Sequence, residues 1–418
     1  MGQLSFPGFC LHWQVLAAAY VFLGLVTGAQ SAAAPNTVVL DPATLADAKM
    51  RLGLRPVDPT LRTALNSLTA QADKWLTQGP WSVTYKKDPP PGGDIHDYSS
   101  QAPYFWASKS PDGCPYIQKD GERNPEADAK YPDHATRRLM FDSSYVLTLA
   151  WYYTGKEQYA RKAGDILRTW FISPATRMNP NLNHAQLIPC ANTGRFIGII
   201  DWSQGFTSVV DAAAILATGA PGWTATDIEA FRQWNVDYLV WLGKSQFGRD
   251  ETAATNNHGT YAIMQSAGVA LFTKNTALAQ KKANLMKSRI AAYITANGSQ
   301  PQELSRTRSF HYSTYDLIAY TRIAAIAKKV GVDLWGYKGP QGQSIHGAVD
   351  FIIPAATGEA KWKYPELEFD AREASDIIRA SADAGNANAK RALGKVPALL
   401  GGDLYHLRPA AEQLSALP

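Results

Sequence analysis

Thr226-Asp227-Ile228-Glu229-Ala230-Phe231-Arg232-Gln233-Trp234-Asn235-Val236-Asp237-Tyr238-Leu239-Val240-Trp241 carries large apolar side chains at Ile228, Phe231, Trp234, Tyr238 and Trp241. Steps of three and four residues put those side chains on one face of an α-helix. Thr226 and Glu229 precede the run in a capping-box pattern, in which the two side chains take up orphan backbone N–H groups, so a helix is expected to start here. Tyr159, Ala163, Ile166 and Trp170 repeat the spacing. Further helices are expected at about 60–78, 137–154, 203–218, 254–273, 276–295, 313–330 and 369–383, with Gly155 and Gly331 ending two of them. Period-two alternation of β-branched residues is scarce, which gives a large sheet little support. The fold class is therefore mainly α. Amphipathic helices joined by short turns pack as antiparallel hairpins, and many hairpins close partly into a ring. No strict period accompanies them, so the chain is not a repeat solenoid.

Two long segments interrupt the helices, Lys86 to Asp133 and Arg177 to Asp201, both rich in Pro, Gly, Asn and aromatic residues. Loops of that length are functional or disordered. Tyr98, Tyr104, Phe105, Trp106 and Tyr116 argue against disorder, so the loops are expected to cover or line a groove. No low-complexity linker divides the chain, which is expected to be a single domain over 32–418.

The 418 residues, 45% hydrophobic and 18% charged, lie within the range of ordinary globular proteins. The first charged residue is Asp41. Before it come the apolar run Val15 to Val26 and the small residues of Ala29-Gln30-Ser31-Ala32, a pattern expected of a signal peptide over 1–31. No later stretch is apolar for long enough to span a bilayer. The mature protein is thus expected to be secreted, extracellular or periplasmic, and monomeric. Losing Cys10 with the leader leaves Cys114 and Cys190, a disulfide or two free thiols, in a compartment where disulfides persist. A net charge of +5, from 41 Lys and Arg against 36 Asp and Glu, suits a polyanionic partner by steering. No basic run argues for nucleic acid. The eight His are scattered without a His-x-x-x-His pair, and the Cys lack zinc-ligand spacing, so neither metal nor cofactor is expected.

Two segments concentrate chemistry. Thr255-Asn256-Asn257-His258-Gly259 sets amides beside an imidazole at an expected helix N-terminus, where backbone N–H groups favour a carboxylate. The plainer alternative is that Asn256 or Asn257 caps the helix and His258 is a satisfied core residue. Glu303-Leu304-Ser305-Arg306-Thr307-Arg308-Ser309-Phe310-His311-Tyr312 gathers two Arg, a His and a Tyr ahead of the helix near 313. Taken alone, its Arg residues could be a solvated face and Tyr312 a packed aromatic.

Together, and in this order, the two segments resemble the alginate-lyase-domain polysaccharide lyases of families five and thirty-eight. Those enzymes carry Asn-Asn-His and then a Glu-Leu-x-Arg-x-Arg run ending in Tyr. The stretches Asp97 to Trp106, Pro115 to Ile117, Asp120 to Glu126 and Met178 to Gln186 are also similar to that domain's signatures. The likeness spans roughly residues 60 to 340. It is closer to family thirty-eight, because Arg306 precedes Tyr312 by six residues and family five has one more in that interval. Arg308 is the alternative to Arg306.

The resemblance implies an incomplete (α/α) toroid whose groove binds an anionic polyuronate. It also implies β-elimination, giving 4,5-unsaturated ends. Removing the C5 proton of a uronate pushes charge into a carboxylate that is already negative, so that group must first be neutralised. Asn257, His258 and Arg306 are the residues expected to do so, with Tyr312 as the base at C5 and the acid at O4, helped toward phenolate by Arg308 or His311. One residue can serve both steps in mannuronate and glucuronate, where the C5 hydrogen and O4 lie on the same side. Guluronate would need a base on the other face, where His258 is the candidate. Tyr104, Trp106, Arg123, Asn124, Gln186, Arg308 and His311 are candidate substrate-binding residues. Mannuronate-rich alginate is the first expected substrate and glucuronan the second. Other readings are a glycoside hydrolase using Asp142, Glu251 or Asp316, and a non-catalytic polyuronate-binding protein.

Overall fold

The computed structural model describes residues 1–3, 34–400 and 402–412. Apart from its first three residues, the leader expected over 1–31 lies outside the described residues, and so does Cys10. Residues Ala34–Pro418 cluster as one unit. Among the described residues no helix is long and apolar enough to cross a membrane.

Helices account for most of this unit. Asp133–Thr154 and Glu157–Phe171 form one hairpin, turned by Gly155 in the left-handed region at φ 71°. Asn257–Phe272 and Thr276–Tyr293 form another, capped at its turn by the Asn275 side chain. Around them pack Pro59–Trp75, Phe206–Leu216, Ala225–Lys244 and Ser309–Lys329, neighbours in space as the hairpin reading requires. These helices build the expected incomplete (α/α) toroid, without a closed barrel.

The helix at 225 starts earlier than its sequence pattern suggests. Thr224, not Thr226, is the N-cap: its extended backbone lets Oγ1 accept from the Asp227 N–H at 3.2 Å, while the Asp227 carboxylate accepts from the Thr224 N–H at 2.9 Å. Asp227 thus takes the acid's part, and Glu229 lies further along, paired with Arg232 at 2.8 Å. Pro42–Gly53, Gln246–Ala253 and Ile345–Ala356 are helices the sequence reading did not mark, the last because it holds Pro354. The last expected helix begins at Ser375, after a 3-10 turn over Ala371–Ala374.

The core is dense in aromatic edges. Phe171 meets Phe231 at 5.0 Å and Trp234 at 4.8 Å between ring centroids, and Trp202 meets Phe206 at 5.2 Å. Such pairs add about 0.5 to 1.5 kcal/mol each beyond the area they bury, and these rings join helices from different hairpins.

The two long loops are ordered and fastened to each other. Ser99–Gln101 pairs in parallel with His184–Leu187, and Cys114 is disulfide-bonded to Cys190. Phe105–Trp106 pairs antiparallel with Ile117–Gln118. Lys86, buried, bonds the Asp133 carboxylate at 2.9 Å and the carbonyls of Val83 and Asp97. Ser100 and Tyr98 donate to Asp201 at 2.6 and 3.2 Å. Each loop therefore has polar anchors in the other or in the helices beneath, and the two stand as one wall over the open side of the toroid.

Candidate active site

Under that wall runs a groove of about 1130 Å³, lined by Asn257, His258, Arg306, Arg308, His311, Tyr312, Tyr104, Arg123 and Gln186 among others. All four residues expected to carry the chemistry open onto it.

Asn257 and His258 stand in the first turn of their helix. The capping alternative does not describe them, because Asn256 is the N-cap and its side chain makes no cap bond. Asn257 instead donates both its backbone N–H and its Nδ2 to Glu303, at 2.7 Å each. Arg289 braces the turn by donating to the carbonyls of Ala254 and Asn256 at 2.8 Å. Gly259 permits this, since a Cβ there would lie 2.1 Å from the Ala254 oxygen and 2.6 Å from the Arg289 guanidinium. Glu303 is buried, and that burial, with Asp316 nearby, pushes its carboxyl up to about 8.

His258 turns Nδ1 to Glu251 Oε1 at 2.8 Å, leaving Nε2 without a hydrogen-bond partner among the described residues. Glu251 is completely buried, and burial raises its pKa although His258 pulls it down. Its second oxygen, Oε2, has no partner among the described residues.

Arg306 and Tyr312 form one unit. The guanidinium lies 3.7 Å from the centroid of the Tyr312 ring and grips Asp120 with two bonds, Nη2 at 2.6 Å and Nε at 3.2 Å. Thr307 also donates to Asp120, at 3.0 Å, and Gly121 lets the two segments close, because a Cβ there would lie 2.5 Å from Thr307 Oγ1. The Tyr312 hydroxyl is 2.6 Å from that of Tyr104. Burial first, and Tyr104 after it, hold the Tyr312 phenol well above its ordinary value, and Arg306 pulls the other way. Arg306 is the cation over the Tyr312 ring, and the His311 ring packs edge-on to it at 5.2 Å. Arg308 faces Glu368 at 3.4 Å, and His311 bonds Glu373 at 2.9 Å.

The candidate sugar-binding residues divide. Tyr104, Arg123, Gln186, Arg308 and His311 line the groove, whereas Trp106 and Asn124 do not. Trp106 donates to the Glu122 carbonyl at 3.2 Å under the Lys119 ammonium, and Asn124 gives its amide to the Phe105 carbonyl at 2.9 Å, so both side chains are spent within the loop. Gln186 is unusual in its backbone, a non-glycine residue at φ 48°, which costs about 1 kcal/mol or more. There it accepts the Arg195 fork through its backbone O and Oε1, both at 2.9 Å, and donates to Asp201 at 2.6 Å. Sequence reasoning missed Arg195 and also Arg137. The latter lines the groove, is 3% exposed, rests against the Phe141 ring at 5.1 Å and has an Nε without a partner among the described residues. Of the carboxylates considered for hydrolysis, Asp142 lines the groove, Glu251 is bound to His258, and Asp316 is buried with its pKa pushed up to about 6. Among the described residues no cluster of His, Cys, Asp and Glu could hold a metal ion.

The family model described as alginate lyase matches residues 82–362, which contain every one of these groove residues from Tyr104 to Tyr312. The chain belongs to the alginate lyase family. This polysaccharide lyase is similar over 90% of its length to all of an alginate lyase from Bacteroides ovatus, with 32% identity and a TM-score of 0.84. Alginate lyase A1-III from Sphingomonas species A1 shares the fold at 21% identity and a TM-score of 0.56, over 89% of this chain and 97% of that one. A variant of A1-III complexed with a tetrasaccharide matches at 20% identity and a TM-score of 0.57, over 91% and 97%. No curated protein matches the chain. Family membership sets aside the hydrolase and non-catalytic readings.

Proposed function

We propose that this lyase depolymerises a β-1,4-linked polyuronate by β-elimination, with mannuronate-rich alginate as its first substrate. The observation that carries the reading is the convergence of Asn257, His258, Arg306 and Tyr312 on one groove, from the first turns of two helices and the segment before one of them. The likeness to alginate lyases supports the substrate class.

In this reading the sugar carboxylate sits at the Asn257–His258 turn, where the amide, the imidazole and the helix N-terminus stabilise the charge that grows as the C5 proton leaves. Each such donor contributes roughly 3 to 4 kcal/mol. The Tyr312 oxygen takes the C5 proton. The C4–O4 bond breaks as the C4=C5 double bond forms, and Tyr312 delivers a proton to O4. Arg306, over the ring, stabilises negative charge on the phenol oxygen against the opposing effect of Tyr104. Since burial holds Tyr312 as a neutral phenol, the Arg306 contact and the arriving sugar have to promote its deprotonation together. Arg137 and Arg195 supply positive charge for neighbouring uronates. The same proposal includes export through the leader at 1–31, one domain over 32–418, and action as a monomer.

The test is a panel of polymannuronate, polyguluronate and glucuronan, followed by ultraviolet absorbance of the conjugated product. Polymannuronate should react fastest. Glucuronan differs from it at C2 and is the competing substrate, so a faster rate there would reassign the substrate. The absence of unsaturated ends from all three would overturn the reading.

A further inference from the structure

His258 has two different jobs in β-elimination, and one proton separates them. To neutralise a carboxylate, Nε2 must carry hydrogen. To act as a base, it must present a lone pair. Which holds is decided at the other ring nitrogen, because a neutral imidazole has one N–H and one acceptor. That other nitrogen, Nδ1, is 2.8 Å from Glu251 Oε1.

Glu251 is unusual among the carboxylates near the groove. It is wholly enclosed, and among the described residues its side chain bonds His258 alone, with no partner for Oε2. An ionised carboxylate with an unsatisfied buried oxygen is costly, by more than about 1 to 3 kcal/mol. Placing a proton on Oε1, where it is donated to Nδ1, removes the charge and satisfies the contact. His258 then holds its own proton on Nε2, facing the groove. When the pair loses that proton, Glu251 becomes a carboxylate accepting from Nδ1–H, and Nε2 turns from donor to acceptor.

We propose that Glu251 is the positioning residue that sets whether His258 Nε2 donates or accepts, and thereby which C5 epimer of a uronate the groove processes. The inference rests on the elimination reading above. With the pair protonated, Nε2–H binds the carboxylate and Tyr312 serves as base and acid on mannuronate. With it deprotonated, Nε2 takes the C5 proton of guluronate from the opposite face while the Tyr312 phenol protonates O4. The C4=C5 bond forms as C4–O4 breaks, and the proton on Nε2 afterwards returns to the Tyr312 oxygen through water. No oxidant or co-reactant is needed.

The charged groups packed around the pair are offset or already committed. Arg195, just before a 3-10 turn over Phe196–Ile199, and Asp201, in the short helix Ile200–Ser203, act on Glu251 with opposite signs, and Tyr238 from the Ala225–Lys244 helix is held neutral by burial. On the other side Arg289 is spent on backbone carbonyls and Glu303 on Asn257. Asp316 acts on Glu303, and Tyr312 is held as a phenol.

The experiment measures the ratio of polyguluronate to polymannuronate turnover across the pH range in which imidazole titrates, in the native enzyme and in Glu251→Gln. Any Tyr312 contribution is common to both proteins and cancels in the comparison. The ratio should rise with pH in the native enzyme, at a midpoint at least about one pH unit above that of Glu251→Gln. Equal midpoints, or a flat native ratio, would overturn the proposal. Nitrogen-15 NMR of His258 in the native protein is a second test that survives a variant that fails to fold. Below the native midpoint the ring should carry hydrogen on Nε2, and a ring protonated only on Nδ1 there would also defeat it. If neither polymer gives unsaturated ends, the elimination reading itself fails. Product from both with equal midpoints sinks the role of Glu251 alone.

Discussion

Tyr312→Phe separates chemistry from structure more cleanly than any other change in the groove. It removes one oxygen and keeps a ring that is 7% exposed, packed edge-on to His311 at 5.2 Å and under the Arg306 guanidinium at 3.7 Å. With that oxygen goes the 2.6 Å hydrogen bond to Tyr104. A bond between two hydroxyls contributes about 1 kcal/mol, and the Tyr104 hydroxyl, at the groove wall, can turn to water instead. Fold stability should therefore fall by no more than about 1 kcal/mol. The rate should fall by about 10² to 10⁴, the ordinary worth of a positioned acid and base, equivalent to about 3 to 5 kcal/mol in the barrier. Saturating polymannuronate with continuous ultraviolet detection gives kcat, calorimetry gives the affinity of the polymer, and thermal unfolding gives the stability. Binding within about threefold of native with turnover down about a hundredfold is the expected result. A variant retaining a tenth or more of native turnover would refute the assignment of the phenol, whatever its stability.

Arg306→Lys should lower kcat by about tenfold or more with a smaller change in KM, because an ammonium can neither lie flat on the Tyr312 ring nor grip Asp120 with two bonds; steady-state kinetics would show it. Arg137→Ala should raise KM for long polymer by about tenfold and weaken the dependence of KM on salt, while leaving kcat nearly native; an unchanged KM would remove it from the groove's substrate contacts. Glu303 sits at about 8 in the folded state, above its unfolded value, so the fold holds a proton that the unfolded chain releases. The stability it contributes is complete in acid and is lost as pH rises through about 8, so Tm should fall over that interval and Glu303→Gln should flatten the slope. Replacing Cys114 and Cys190 by Ser opens a loop of sequence separation 76 and should cost about 2 to 4 kcal/mol in urea unfolding, near the loop-entropy limit less what the paired strands retain.

The helices were legible because each long one buries a face at helical spacing, and periodicity reports burial. Ile345–Ala356 escaped although Ile345, Ala348, Val349, Ile352, Ile353 and Ala356 keep helical spacing, because Pro354 within it reads as a helix breaker. The capping error at Thr226 arose from two Thr residues competing for one helix start, a choice made by the extended backbone of Thr224 rather than by residue type. At the site, Asn257, His258, Arg306 and Tyr312 were legible from two short motifs, while most of what orients them was not. Asp120 reaches Arg306 across a sequence separation of 186, and Glu303 reaches Asn257 across 46. Nothing local marks such partners. Trp106 and Asn124 show the converse, since an aromatic or an amide in a groove-covering loop is as easily spent holding the loop as holding a sugar.

Those partners bear on how the site works, because they fix its donors in place and offset the charge of Arg306. Arg306 is matched by Asp120, His258 by Glu251, and the Asn257 turn rests on Glu303. What faces a uronate carboxylate at the reacting sugar is therefore a set of fixed N–H donors and a helix N-terminus rather than a bare cation. That is the better arrangement for turnover. A free cationic clamp would bind the ground-state carboxylate and the transition state alike, lowering KM without raising kcat. Donors held in place by these carboxyl groups gain most as negative charge builds on the carboxylate during C5 deprotonation, and they need no reorganisation to do so. The groove's unmatched guanidiniums, Arg137 and Arg195, make no hydrogen bond to a carboxylate among the described residues. Assigning them to polymer binding divides the labour: those two side chains hold the chain, and the compensated ones do the chemistry.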